Sequence, residues 1–173
     1  MMPNAKLMQI MESIISKTRD YFDREFHIKM IGVDSGVGGL DTLVLKDITA
    51  IIGMGGAVNL LIAMSFDKGM INALFDRMTA DINIQPDEIV KFRKATAGEV
   101  VNTILGHCTG DLQGLDRLGI TMTPPVIIDE AKNIHRSKDA MFYTQSMHTE
   151  FGHVDINLVG PRELFNIYLE YVK

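Results

Sequence analysis

The sequence predicts an α+β fold: an antiparallel sheet of about six strands with long helices packed on one face. Three observations point there. Helical apolar periodicities occupy the N-terminus and the middle of the chain, at Leu7 to Phe22 and Ala97 to Cys108. Strand-like runs stand next to each other across short glycine-containing turns, as hairpins require. Two of those runs are apolar at nearly every position, which needs cover on both faces. The chain of 173 residues is long enough for a substantial core, so a single domain over 1–173 is expected.

Taken in order, Leu7, Ile10, Met11, Ile14, Ile15, Thr18, Tyr21 and Phe22 fall on one face of a first helix. Asn4 is its expected N-cap, and the helix should fade over Asp23 to Glu25. Phe26 to Val33 reads as a strand, followed by a loop, DSGVGGLD. That loop lacks the Gly-Lys-Ser/Thr ending of a phosphate-binding loop and has Asp41 where a dinucleotide fingerprint needs Gly, so it reads as a turn. Leu43 to Ile52 and Ala57 to Ser65 are the two apolar strands, joined through Gly53, Gly55 and Gly56. Their second face is expected to need cover, supplied by a partner chain. Asp67 can cap a short helix carrying Met70, Ile71, Leu74, Phe75 and Met78.

Pro86, Asp87 and Glu88 suit the first turn of a long helix reaching about Cys108 and ended by Gly110 or Gly114. Ile120 to Ile128 reads as a strand entered through Pro124 and Pro125, and Asp129 to Ser137 as a polar connection. Ala140 to Met147 and His153 to Val159 are two more strands around a turn near Glu150 and Gly152. The tail after Pro161, RELFNIYLEYVK, suits helix and strand equally.

Composition excludes several classes. A formal net charge of -5 argues against nucleic acid as the main partner, since phosphate binding needs clustered Lys and Arg. No apolar run approaches the roughly 20 residues of a membrane span, and the charged N-terminus does not read as a signal peptide. The only cysteine, Cys108, rules out an internal disulfide. A cytoplasmic protein is expected.

The stretch that points to chemistry is ATAGEVVNTILGHCTG, Ala95 to Gly110. Ala97, Val101, Ile104 and Cys108, widened by Val100 and Leu105, make a buried stripe. Ala95, Glu99, Asn102 and Gly106 follow one another on another face, so a carboxylate and a carboxamide stand one turn apart. Periodicity alone reads this as the polar face of a half-exposed helix.

The same residues resemble the signature of the CheC/CheX/FliY family of response-regulator phosphatases: Asp or Ser, three residues, Glu, two residues, Asn, twenty-two residues, Pro. Glu99 and Asn102 supply its centre, Pro125 stands where the spaced proline is required, Gly106 follows the Asn by four, and the hairpin IIGMGG occupies Ile51 to Gly56. The likeness runs from about residue 5 to 160, and its single motif copy on the middle helix resembles CheX most. The departure is Ala95, where the family has Asp or Ser.

The resemblance implies a phosphatase for the aspartyl phosphate of a CheY-type receiver domain. Asn102 would position the attacking water and Glu99 would pair with the receiver's active-site Lys. Ala95, Gly106 and Pro125 would shape the contact with the partner. No cofactor of its own and no metal are implied, Mg²⁺ being expected in the partner's site. A homodimer through sheet edges is a further implication. Two other readings remain: a catalytically weak module that docks or sequesters a response regulator, because Ala95 lacks a hydrogen-bonding group, and a flagellar-switch-like structural domain. Elsewhere, His148 and His153 could face each other across two strands without the third ligand of a zinc site. His107 reads as a helix-surface residue, Cys108 as a small buried hydrophobe, and the methionines mostly as core.

Overall fold

The structure, a computed structural model, describes residues 5–36, 42–56, 59–112, 119–135 and 138–161. Three helices lie on one face of an antiparallel sheet. The helices are α1 (Ala5–Phe26), α2 (Lys68–Met78) and α3 (Ile89–Leu112), the last entered through a 3-10 turn at Pro86–Glu88. The strands are β1 (Met30–Gly36), β2 (Thr42–Leu45), β3 (Ile48–Gly55), β4 (Leu60–Phe66), β5 (Thr121–Met122), β6 (Val126–Ile128), β7 (Lys132–His135), β8 (Ala140–Thr149) and β9 (Gly152–Pro161). The main sheet has the order β1-β8-β9-β4-β3-β5, with β6 also on β3, while β2 and β7 form a separate two-stranded ribbon.

The core lies between helices and sheet. Ile48, Ala50, Ile52 and Met54 of β3 alternate toward it, as do Leu60, Ile62, Met64 and Phe66 of β4. They meet Leu7, Ile10, Met11 and Ile14 of α1 and the buried stripe of α3. At about 25 cal/mol for each Å² of apolar surface removed from water, this layer is the main stabilising contribution. Asp67 caps α2 as expected: its side chain accepts a hydrogen bond from the Met70 N–H (2.9 Å).

Several expectations need correction. Phe26 belongs to α1, not to a strand. Its ring packs edge-on to Tyr21 at 5.2 Å and is buried, so the helix runs through Glu25; His27 then turns left-handed (φ 53°) and releases the chain toward β1. The turn expected at DSGVGGLD starts later, because Asp34, Ser35 and Gly36 pair with β8; positions 37–41 lie outside the described residues.

The run from Leu43 to Ile52 is two strands. It breaks at Lys46 and Asp47, whose charges are held elsewhere, by Asp155 at 3.4 Å and Arg93 at 2.7 Å. Gly110 does not end α3, which continues to buried Leu112; Gly114 lies outside the described residues. Ile120 to Ile128 splits into β5 and β6 because Pro124 and Pro125 have no N–H for the ladder. The polar connection at Asp129 to Ser137 contains a strand, β7. The expected N-cap at Asn4 and the segment after Pro161 lie outside the described residues.

The second face of the sheet is covered in part by the β2–β7 ribbon. Leu43 and Leu45 pack there with Phe142, Ile128, Ile134 and Val159. The apolar character of β3 and β4 on that side is thus met in part within this chain, while Leu61 of β4 stays 49% exposed. Beside the ribbon, polar side chains of that face pair with each other: Asn157 accepts from Thr144 (2.8 Å), and Ser146 donates to Asp155 (2.6 Å).

Candidate functional site

The site is built on α3, and three sets of contacts fix that helix. Its apolar stripe, from Ala97 through Val100, Val101, Ile104 and Leu105 to Cys108, is fully buried. Burial pushes the Cys108 thiol up to about 11, so it stays protonated and acts as a small hydrophobe. At the N-terminal end, the Glu88 carboxylate accepts from the Gln85 N–H (3.3 Å), and Arg93 and Lys94 pair with Asp47 (2.7 Å) and Asp129 (3.6 Å). At the other end, Asp111 accepts from Ser13 (3.1 Å) and pairs with Lys17 (3.3 Å) of α1. A helix tied at both ends and along one face can present its opposite face as a rigid element.

That opposite face holds Ala95, Glu99, Asn102 and Gly106, all exposed. Neither Glu99 nor Asn102 makes a side-chain hydrogen bond or ion pair with another described residue. Ala95, Glu99, Asn102 and Pro125 line one shallow, open concavity of about 360 Å³, with Lys94, Gly98 and Ile127. Pro125 and Ile127 come from the β6 side. A Cβ built on Gly98 would sit 3.5 Å from each, so helix and strand are in close contact there. Gly106 lies one turn beyond the concavity, and a Cβ built on it would meet nothing within 4 Å. The spacing in sequence thus brings four of the five candidate residues to one hollow and leaves the fifth on the same stripe.

The other flank of the stripe is α1. Tyr21 stands edge-on to His107 with ring centroids 6.2 Å apart, so His107 is a surface packing residue. Burial raises the Tyr21 phenol above its ordinary range; a hydrogen bond with Thr103 offsets this in part, and the Glu99 and Glu25 carboxylates add to it. Beyond Ala95 and Glu99 lies a second hollow of about 250 Å³, closed by Met78, Ile82 and Phe92. Sequence reasoning missed it. The legible signal was Phe92, which precedes Glu99 by two helical turns; Met78 and Ile82 reach it only through the tertiary fold.

The remaining candidates do not join this site. His148 and His153 do face each other, with ring centroids 4.4 Å apart in directly opposed positions of β8 and β9. Among the described residues no group of three His, Cys, Asp or Glu could hold a metal ion. A larger, mostly carbon-lined hollow of about 660 Å³ lies between the ends of β3, β4, β5 and β9 and includes none of the five residues. None of the described helices is long and apolar enough to cross a membrane.

Three solved structures illustrate the similarity of fold. A chemotaxis protein CheX from Desulfovibrio desulfuricans shares 20% identity, with 86% of this chain and 97% of that one covered and a TM-score of 0.71. CheX from Borrelia burgdorferi, in a complex with CheY, BeF3 and Mg²⁺, shares 18% identity over 87% and 96%, with a TM-score of 0.64. FliY from Thermotoga maritima shares 11% identity over 87% and 85%, with a TM-score of 0.58. No curated protein sequence matches the chain. The family model described as chemotaxis phosphatase CheX matches residues 48–148, a span that holds the glycine hairpin, all of α3 and Pro125. With 101 of its 173 residues inside that match, the chain belongs to the CheX family of chemotaxis phosphatases.

Proposed function

We propose that this protein hydrolyses the aspartyl phosphate of a CheY-type receiver domain, with α3 entering the receiver's active site. The observation that carries the proposal is the state of Glu99 and Asn102. Both stand exposed and unengaged, one turn apart, on a helix whose two ends and buried face are held by the chain's own contacts. The concavity around them is shallow, which suits a protein surface better than a small molecule. The solved CheX–CheY complex from a relative supports the choice of partner.

An aspartyl phosphate is a mixed anhydride with a good leaving group. Its hydrolysis needs a water held in line with phosphorus and charge neutralisation at the equatorial oxygens. The receiver supplies the neutralisation through its own Mg²⁺ and Lys. The Asn102 carboxamide can accept from the water through Oδ1 while Nδ2 donates. It is too weak a base to take a proton, so it acts by positioning. Glu99 pairs with the receiver's Lys and sets how deeply α3 enters. Pro125 supports the helix through Gly98 and touches no reacting atom. Such a partner places the activity in the cytoplasm, and a homodimer is compatible with it.

The test is phosphate release from a Mg²⁺-loaded, phosphorylated receiver, with the protein, its Asn102→Ala variant and buffer alone. Acceleration that falls by about a hundredfold or more in Asn102→Ala, with binding retained, is the expected result. Equal rates for wild type and variant would sink the mechanism.

A second reading has one observation behind it. Ala95 offers only a methyl group at the rim of the hollow, one turn before Glu99. If that loss disables turnover, the protein is a docking module that sequesters the receiver. Under that reading Ala95→Asp raises phosphate release about tenfold or more from a near-zero wild-type rate, whereas an active wild type gains little.

A further inference from the structure

We infer that the hollow closed by Met78, Ile82 and Phe92 is a specificity pocket for an aliphatic side chain of the docked receiver domain, and that Ala95 joins it to the Glu99–Asn102 stripe. The inference rests on the receiver-docking reading of α3 and adds a second contact to it.

The chemistry of the walls selects the occupant. Two hydroxyls line the hollow, and both are spent on the chain's own backbone: Thr79 donates to the Phe75 carbonyl (2.7 Å) and Thr96 to the Phe92 carbonyl (2.9 Å). What remains toward solvent is carbon, with Glu99 at one edge. An aliphatic guest covers carbon there and loses no hydrogen bond, whereas a polar one finds partners only at the Glu99 edge and at hydroxyls whose protons are already donated. Ile82 is 53% exposed, although its N–H is tied to the Thr79 carbonyl (3.0 Å) and the turn that carries it is defined. A large aliphatic residue held half in water at the rim of an apolar hollow gains by being covered.

Continuity with the docking stripe fixes whose side chain this is. Ala95 and Glu99 line both hollows, so the two share a wall. With a methyl at 95, the path between the hollows from Pro125 over Gly98 and Ala95 to Phe92 is carbon, bordered by the charged Lys94 and Glu99. From Phe92 to Asn102 the distance along the helix is about 15 Å. One receiver, covering about 800 Å² of this protein, spans it easily. A side chain of the receiver can therefore fill the hollow while Asn102 is in its active site.

The test compares wild type, Ile82→Ser and Asn102→Ala by calorimetric titration with each receiver domain of the same cell, loaded with Mg²⁺ and beryllium fluoride. Steady-state phosphate release is measured alongside. Ile82→Ser is expected to weaken Kd by about tenfold for the cognate receiver and to raise KM by a similar factor, while Asn102→Ala lowers kcat. Wild-type binding that Ile82→Ser leaves within twofold overturns the pocket and leaves the docking reading standing. Failure of the wild type to bind any receiver overturns the docking reading and the pocket with it. A switch from dimer to monomer in Ile82→Ser, with Kd unchanged, assigns the hollow to a second copy of this chain and overturns the inference.

Discussion

Two polar constellations in this molecule are opposite in state. One surrounds Asp67, at the junction of β4, α2 and the β8–β9 turn. Its carboxylate accepts from the N–H groups of Met70 (2.9 Å) and His153 (2.7 Å) and lies 3.2 Å from His153 Nδ1. The His153 ring stands edge-on to His148, whose Nε2 is 2.7 Å from Asp34 though off the hydrogen-bonding direction. The other constellation is Glu99 and Asn102, which touch no polar partner among the described residues. Polar groups that are spent internally hold elements together. Polar groups that a rigid scaffold keeps unspent remain available to another molecule. The difference between them is therefore one of engagement, which residue type alone does not show.

The strongest way to sharpen this contrast is to break the engaged constellation. Gly152 has φ +146°, and a Cβ built there would overlap the Asp67 carboxylate. Gly152→Ala should cost about 3 kcal/mol from backbone strain and displacement of the cap, read as a fall in Tm of roughly 10 °C. Catalysis by the molecules that remain folded should be unaffected, since Asp67 and α3 are held by separate contacts. Asn102→Ala should do the reverse, leaving Tm unchanged and removing the rate. A shared loss of both in either variant would show that the two regions are coupled.

What the sequence could reveal follows the same division between local and distant causes. The two faces of α3, the Asp67 cap and the β3–β4 and β8–β9 hairpins depend on residues close in the chain, and each was legible. The break at Lys46 and Asp47 depends on Asp155 and Arg93, 109 and 46 residues away. Strand β7, KNIH, is polar enough to read as a connection and becomes a strand because β2 pairs with it. Phe26 looks strand-like and stays helical because Tyr21 and Phe22 pack around it. For the site, spacing and resemblance found Glu99, Asn102 and Pro125 on one hollow. The Met78–Ile82–Phe92 hollow escaped because α2 and the turn after it reach α3 only in three dimensions.

Gly106 gives the smallest expected effect and the finest test of the contrast. Its Cβ position is open, so nothing within the described chain requires a glycine there, and glycine inside a helix is destabilising. Gly106→Ala should therefore raise stability by about 0.5–1 kcal/mol through helix propensity, measurable by denaturant titration. The same methyl would stand on the stripe one turn past Asn102, where the proposed docking brings the receiver's surface close. Binding to the Mg²⁺- and beryllium-fluoride-loaded receiver should weaken several-fold even as the fold becomes more stable. Opposite signs in the two measurements would mean that the glycine serves the partner at the expense of the helix. A stabilised variant that binds as tightly as wild type would place the edge of the interface before Gly106 and confine the contact to Ala95, Glu99 and Asn102.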